Sequence, residues 1–188
     1  MIARPASRRR DNAGVWVLVA IGLLVAANTS PRAGGAGGDP IGSAGVRPPA
    51  GLTFTAAAGC RPASDYPSPQ LDRRVRELLV AIATHHRIRV SCIQAGHSRF
   101  VAGTRRISNH SVWRAVDVDQ VDGTPVSPSN TAARELARWI GQGRAGAAPS
   151  EVGSPWDFGA RPWFTDPGHR DHLHVGFPAP TQARGGGR

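Results

Sequence analysis

Ala115-Val116-Asp117-Val118-Asp119-Gln120-Val121 alternates apolar and polar residues and runs into Asp122-Gly123. That pattern is a half-buried strand closed by a tight turn. Working outward, Ile88-Arg89-Val90-Ser91-Cys92-Ile93 alternates in the same way. His172-Leu173-His174-Val175-Gly176-Phe177 reads as the last strand, with Leu173 and Val175 on its core face. Leu71, Val75, Leu78, Leu79 and Ile82 recur at helical spacing, which predicts an amphipathic helix over about Ser68–His86. Ser129 or Asn130 can cap a second helix running to about Ile140, with Leu136, Trp139 and Ile140 on its apolar side, and residues 141–149 form a loop. Adjacent short strands favour antiparallel pairing. The expected fold is therefore α+β: one compact domain with a small antiparallel sheet and flanking helices.

The 188 residues suggest one domain with appendages. Arg8-Arg9-Arg10 precedes an apolar stretch from Ala13 to Ala27, which is short for a membrane span but fits the apolar region of a signal peptide. Residues 1–27 are expected to be a signal peptide cut after Ala27, or else an uncleaved membrane anchor with its positive end inside. Residues 28–59 are rich in Gly, Ala and Pro and read as a linker, 60–180 as the folded domain, and 181–188 as a disordered tail. The protein is then secreted or wall-associated, touching a membrane only if the first segment stays attached, and is expected to be a monomer. The net charge of +10 comes entirely from Arg over Asp and Glu, since no Lys is present. Such a body is drawn to anionic surfaces. Nucleic acid is one of them, but export and the lack of interleaved aromatic and basic residues oppose it. Cys60 and Cys92 are the only cysteines. In an exported chain an isolated pair reads as a disulfide, against the competing reading of two free buried thiols.

The chemistry-bearing residues cluster at the two strands. His110 lies on the loop leading into the strand that carries Asp117, seven residues later; His172 and His174 share one strand face. Two imidazoles and a carboxylate suit zinc, whose catalytic sites take three protein ligands and keep a fourth position free. Asp119 shares a strand face with Asp117 and is a candidate to support a ligand. The run from Asp117 to Gly123 glances at a calcium loop but fails its spacing, with Pro128 where the twelfth-position Glu belongs. There is no Gly-rich phosphate loop and no cysteine zinc cluster.

Ser108, His110, Ala115 and Asp117 form Ser-x-His-x-x-x-x-Ala-x-Asp, and His172 and His174 form His-x-His near the end of the chain. The combination resembles the zinc D-alanyl-D-alanine peptidases: peptidoglycan carboxypeptidases, phage endolysins and murein endopeptidases, which share a fold with the Hedgehog signalling domain. The resemblance covers roughly residues 69–177. It implies zinc held by His110, Asp117 and His174. Asp171 stands where the carboxypeptidases carry a catalytic Glu, three residues before the last His. His169, His172 and His174 match the endopeptidase pattern His-x-x-His-x-His, in which His172 resembles a catalytic residue and His169 a supporting one. Arg99 is a displaced match to an Arg that polarises the substrate carbonyl, and Ser108 is a candidate to orient a ligand or bind the substrate backbone. One departure is Trp113, three residues after the first His, where the family has Gly; Trp113 either lines the substrate groove or requires a different loop.

The expected activity is zinc-dependent hydrolysis of peptide bonds in peptidoglycan stem peptides or cross-links. Asp171 would act as proton acceptor, with His172 orienting water or stabilising the oxyanion. The alternative is a zinc-containing wall-binding domain without turnover, suggested by Asp171 and Trp113.

Overall fold

The structure, a computed structural model, describes residues 46–57 and 59–180. The expected signal peptide or anchor and the Arg-Gly tail lie outside the described residues. Among those described, no helix is long and apolar enough to cross a membrane.

The strand read first is β3, Ala115–Val121, and it forms the middle of a seven-stranded sheet. On one side it pairs antiparallel with β2, Ile88–Cys92. On the other side, its first half pairs antiparallel with β7, Leu173–Gly176, and its last residues with β4, Thr124–Pro125. The turn into β4 carries positive φ at both Asp122 (51°) and Gly123 (80°), the two-residue hairpin geometry that Asp-Gly favours. Beyond β7 come β5, Glu151–Gly153, and β6, Trp163–Phe164.

The sheet is mixed, which corrects the all-antiparallel expectation at its edges. β1, Leu52–Phe54, adds parallel to β2, and β6 adds parallel to β5. β1 also corrects the domain boundary: the folded part starts before Cys60, inside the stretch expected to be linker. Three residues are too few to show a period, yet Leu52 is buried in the core and Phe54 packs against it. β5 and β6 were equally hidden, because a Gly- and Pro-rich stretch gives no alternation to read.

Two of the helices supply the apolar cover. α1 is a single turn, Pro62–Asp65. α2 spans Arg73–Ala83, shorter than expected because the Asp72 carboxylate accepts from the Arg74 backbone N–H and fixes its start. α3 spans Thr131–Gly141, with Asn130 capping by accepting from Ala133 N–H. Val75, Leu78, Leu79 and Ile82 of α2 and Ala133, Leu136, Ala137 and Ile140 of α3 join Val116, Val118, Leu173 and Val175 in one core. Strand residues alternate between faces. With Val116, Val118, Leu173 and Val175 committed to the core, Asp117 and His174 fall on the opposite face.

Cys60, in the turn between β1 and α1, is bonded to Cys92 at the end of β2, with Cα atoms 5.1 Å apart and no free cysteine among the described residues. Closing a loop of 32 residues contributes roughly 3–4 kcal/mol in the chain-entropy picture.

Candidate metal centre

The register of the sheet builds the site. Cys92 on β2 faces Asp117 on β3, Asp117 faces His174 on β7, and His174 faces Gly153 on β5. Directly opposed residues project from the same side of a sheet, so these four form one row across four strands. Gly153 makes room at the end of the row: a Cβ there would lie 2.6 Å from the His169 ring and 2.7 Å from Phe164. His110 reaches the row from a 3-10 turn, His110–Val112, immediately before β3.

His110 Nε2, Asp117 Oδ1 and His174 Nδ1 converge, at 3.1 Å (His110–Asp117), 3.0 Å (His110–His174) and 3.0 Å (His174–Asp117). All three residues are buried. The outer ring nitrogens explain which atoms face inward. His110 Nδ1–H donates to the Ile93 carbonyl at 2.5 Å, and His174 Nε2–H donates to Glu151 Oε1 at 3.2 Å. Those bonds assign the tautomers and leave a lone pair on each inward nitrogen. Two nitrogen lone pairs and a carboxylate oxygen at such spacing repel unless a cation or an added proton lies among them. The donor set therefore fits a metal ion. Cys92, His110 and Asp117 also offer ligand atoms within 4.8 Å of one another. The Cys92 sulfur is tied up in the disulfide, so His174 is the third donor.

The electrostatics agree with a site built for positive charge. Burial alone would raise the Asp117 carboxyl and lower the His174 ring. The two rings outweigh burial at Asp117 and hold it well below the carboxylate range. The Asp117 and Glu151 carboxylates outweigh it at His174 and push it up to about 9. Glu151, bonded to His174, is lowered to about 2.

Around this centre the structure sorts the remaining residues named from sequence. His172 Nε2 lies 3.9 Å from Asp117 Oδ1, and its Nδ1 is 2.9 Å from Asp171 Oδ1. Asp171 itself is turned outward, its side chain 87% exposed. Ser108 is buried; its hydroxyl accepts from His110 N–H at 3.3 Å and lies 3.4 Å from His97 Nδ1, so it braces His110 from its backbone side. The Arg99 guanidinium lies over the Phe100 ring at 5.4 Å in an exposed segment. Arg99 meets the site through its backbone carbonyl, which accepts from Ser108 N–H and the Ser111 hydroxyl. Trp113 adopts φ 63° and ψ 24°, the left-handed conformation for which Gly is suited, and packs against the core. The loop thus keeps the glycine backbone shape while its side chain is spent on packing. Asp119, expected to support a ligand, instead pairs with Arg89 through bonds of 2.8 and 3.0 Å.

Two contributors, His97 and Glu151, carried little or no signal, and a third, His169, was expected as a supporting residue. The His97 ring stacks on His110, centroids 4.1 Å apart and 16° from parallel. Glu151 belongs to no motif, yet it holds His174 and is itself held by Asn109 Nδ2 at 2.6 Å and Arg106 at 3.0 Å. His169 packs edge-on to His174 and is anchored through Nδ1 by Asp166 at 2.7 Å; burial lowers its pKa despite that carboxylate. Five of the seven histidines (97, 110, 169, 172 and 174) thus gather around one point. No protein-family model, curated protein or solved structure matches the chain.

Proposed function

We propose that the protein is a zinc peptidase that hydrolyses peptide bonds in the stem peptides or cross-links of peptidoglycan, outside the cytoplasm. The observation that carries this reading is the convergence of three lone-pair atoms, from His110, Asp117 and His174, at 3.0–3.1 Å. Zinc bonds to nitrogen and oxygen at about 2.0–2.2 Å, so a tetrahedron places its ligands about 3.3 Å apart, close to this spacing. When bound, zinc would polarise the scissile carbonyl and make water acidic enough to attack near neutral pH.

The chain's own groups divide the remaining work. His172 takes the proton from the attacking water at Nε2 and returns it to the leaving amine. Asp171 accepts the His172 Nδ1–H, fixing the tautomer that leaves Nε2 free. The roles expected from sequence are thereby exchanged: Asp171 becomes the positioning residue and His172 the proton acceptor. His169, oriented by Asp166, lies beside His172, ring centroids 5.0 Å apart, where a neutral imidazole can hydrogen-bond substrate. The disulfide suits an oxidising compartment, and the Arg-rich surface suits an anionic wall.

Metal analysis after mild purification, combined with digestion of a defined muropeptide, tests the reading. Wild type is expected to carry one zinc and to release new amines, and His110→Ala to lose both. Cleavage that survives His110→Ala overturns the mechanism. Bound zinc with no released amine, together with pelleting on sacculi, marks a wall-binding domain without turnover.

A further inference from the structure

We propose that the Cys60–Cys92 disulfide is a redox gate on the metal centre: its reduction frees the Cys92 thiolate as a fourth ligand, which closes the site and stops hydrolysis. The inference rests on the reading that His110, Asp117 and His174 hold a metal.

Register carries the argument. Cys92 is the next member of the row that contains Asp117 and His174, on the same face of the sheet. Its sulfur lies within 4.8 Å of a ring nitrogen of His110 and a carboxylate oxygen of Asp117, inside a buried pocket. Rotation about the Cys92 Cα–Cβ bond is the movement that would bring it closer, and the bond to Cys60 holds the sulfur against that movement. Cys60 belongs to a turn outside the sheet, whereas Cys92 is fixed by the β2–β3 ladder. When the bond opens, the sulfur left beside the metal is therefore the Cys92 sulfur.

The chemistry balances with a dithiol as reductant. The dithiol gives up two electrons and two protons and becomes a disulfide, while Cys60 and Cys92 become thiols. Cys92 then loses its proton to solvent as it coordinates, because a coordinating thiol is deprotonated. The donor set changes from two His and one Asp with an open position to a closed set of four, the arrangement of structural rather than catalytic zinc. The protein would be silent in a reducing compartment and active in an oxidising one.

Cobalt in place of zinc reads the gate directly. In the full chain, oxidised wild type should bind cobalt without a thiolate-to-cobalt charge-transfer band in the near ultraviolet. Cys60→Ala and Cys92→Ala lose the same disulfide, but only Cys60→Ala keeps the sulfur beside the metal. Cys60→Ala is expected to show the band and to hydrolyse muropeptide more slowly than Cys92→Ala, which shows none. If Cys60→Ala does not fold, wild type reduced by a dithiol and then freed of it without oxygen is expected to gain the band. Cobalt bound to either reduced form without the band overturns the gate. Failure of oxidised wild type to bind cobalt at all overturns the metal reading beneath it.

Discussion

His172 and Asp171 are neighbours in sequence and unequal in surroundings. The His172 ring is mostly buried and faces Asp117, whereas the Asp171 carboxylate stands in solvent. A positioned general base contributes on the order of 10²–10⁴ in rate. His172→Ala is therefore expected to lower kcat by about that factor with metal retained. Asp171→Asn should lower it less, since water can replace the carboxylate at so open a position. A loss as deep for Asp171→Asn as for His172→Ala, in zinc-loaded protein, would return the proton to Asp171. Gly176 gives a second residue-level test. A Cβ there would meet Glu151 Oε1 at 2.6 Å, Glu151 Cγ at 2.8 Å and Asn109 Nδ2 at 2.9 Å. Glu151 cannot swing aside without releasing His174, Asn109 or Arg106. Gly176→Ala is expected to cost roughly 1–3 kcal/mol in a denaturation midpoint and to weaken zinc binding in a chelator competition. An unchanged zinc affinity would show that the Glu151 bracket does not support His174.

The start of α2 is tied to the loop before β3 and to the chain that follows β7. Asp72 N–H donates to the Trp113 carbonyl at 2.9 Å, and Arg74 donates to the Pro178 carbonyl at 2.7 Å while lying over the Phe177 ring. The bonds from Arg74 to the Asp72 carboxylate hold it below its ordinary 3.8. A depressed folded-state pKa means stability that is complete above the ordinary carboxylate value and is lost as pH falls from there through the lowered one. Asp72→Asn keeps a capping side chain and removes the ion pair. The expected cost is about 0.5–1 kcal/mol at pH 7, shrinking as pH drops below about 4, measured by parallel urea titrations. A cost independent of pH would assign the effect to the cap instead. The helices and central strands could be read from the chain because apolar residues recur at 3.6 in Leu71–Ile82 and at 2 in β3 and β7. β1, β5 and β6 could not, since three- and two-residue strands among Gly and Pro are selected by the neighbour they pair with and not by their own pattern.

Across the whole molecule, the same distinction separates the parts of the site. His110, Asp117, His172 and His174 announce themselves by residue type and spacing, because a metal restricts which side chains can serve. Glu151, His97 and Asn109 reach the centre only through the cross-strand register and the packing of loops 94–109, which no local period encodes. Arg99 is the complementary case: its residue type suits an oxyanion, while in the structure its guanidinium lies over the Phe100 ring. The sheet that brings these pieces together also ends in a particular way. Its outermost strands are β1, three residues long, and β6, two residues long. An edge so brief presents few unpaired N–H and C=O groups to another copy of the chain, so intermolecular strand addition has almost nothing to template on. The feature that hid these strands from the sequence thus favours colloidal stability, letting the domain reach high local concentration without seeding fibrils of itself.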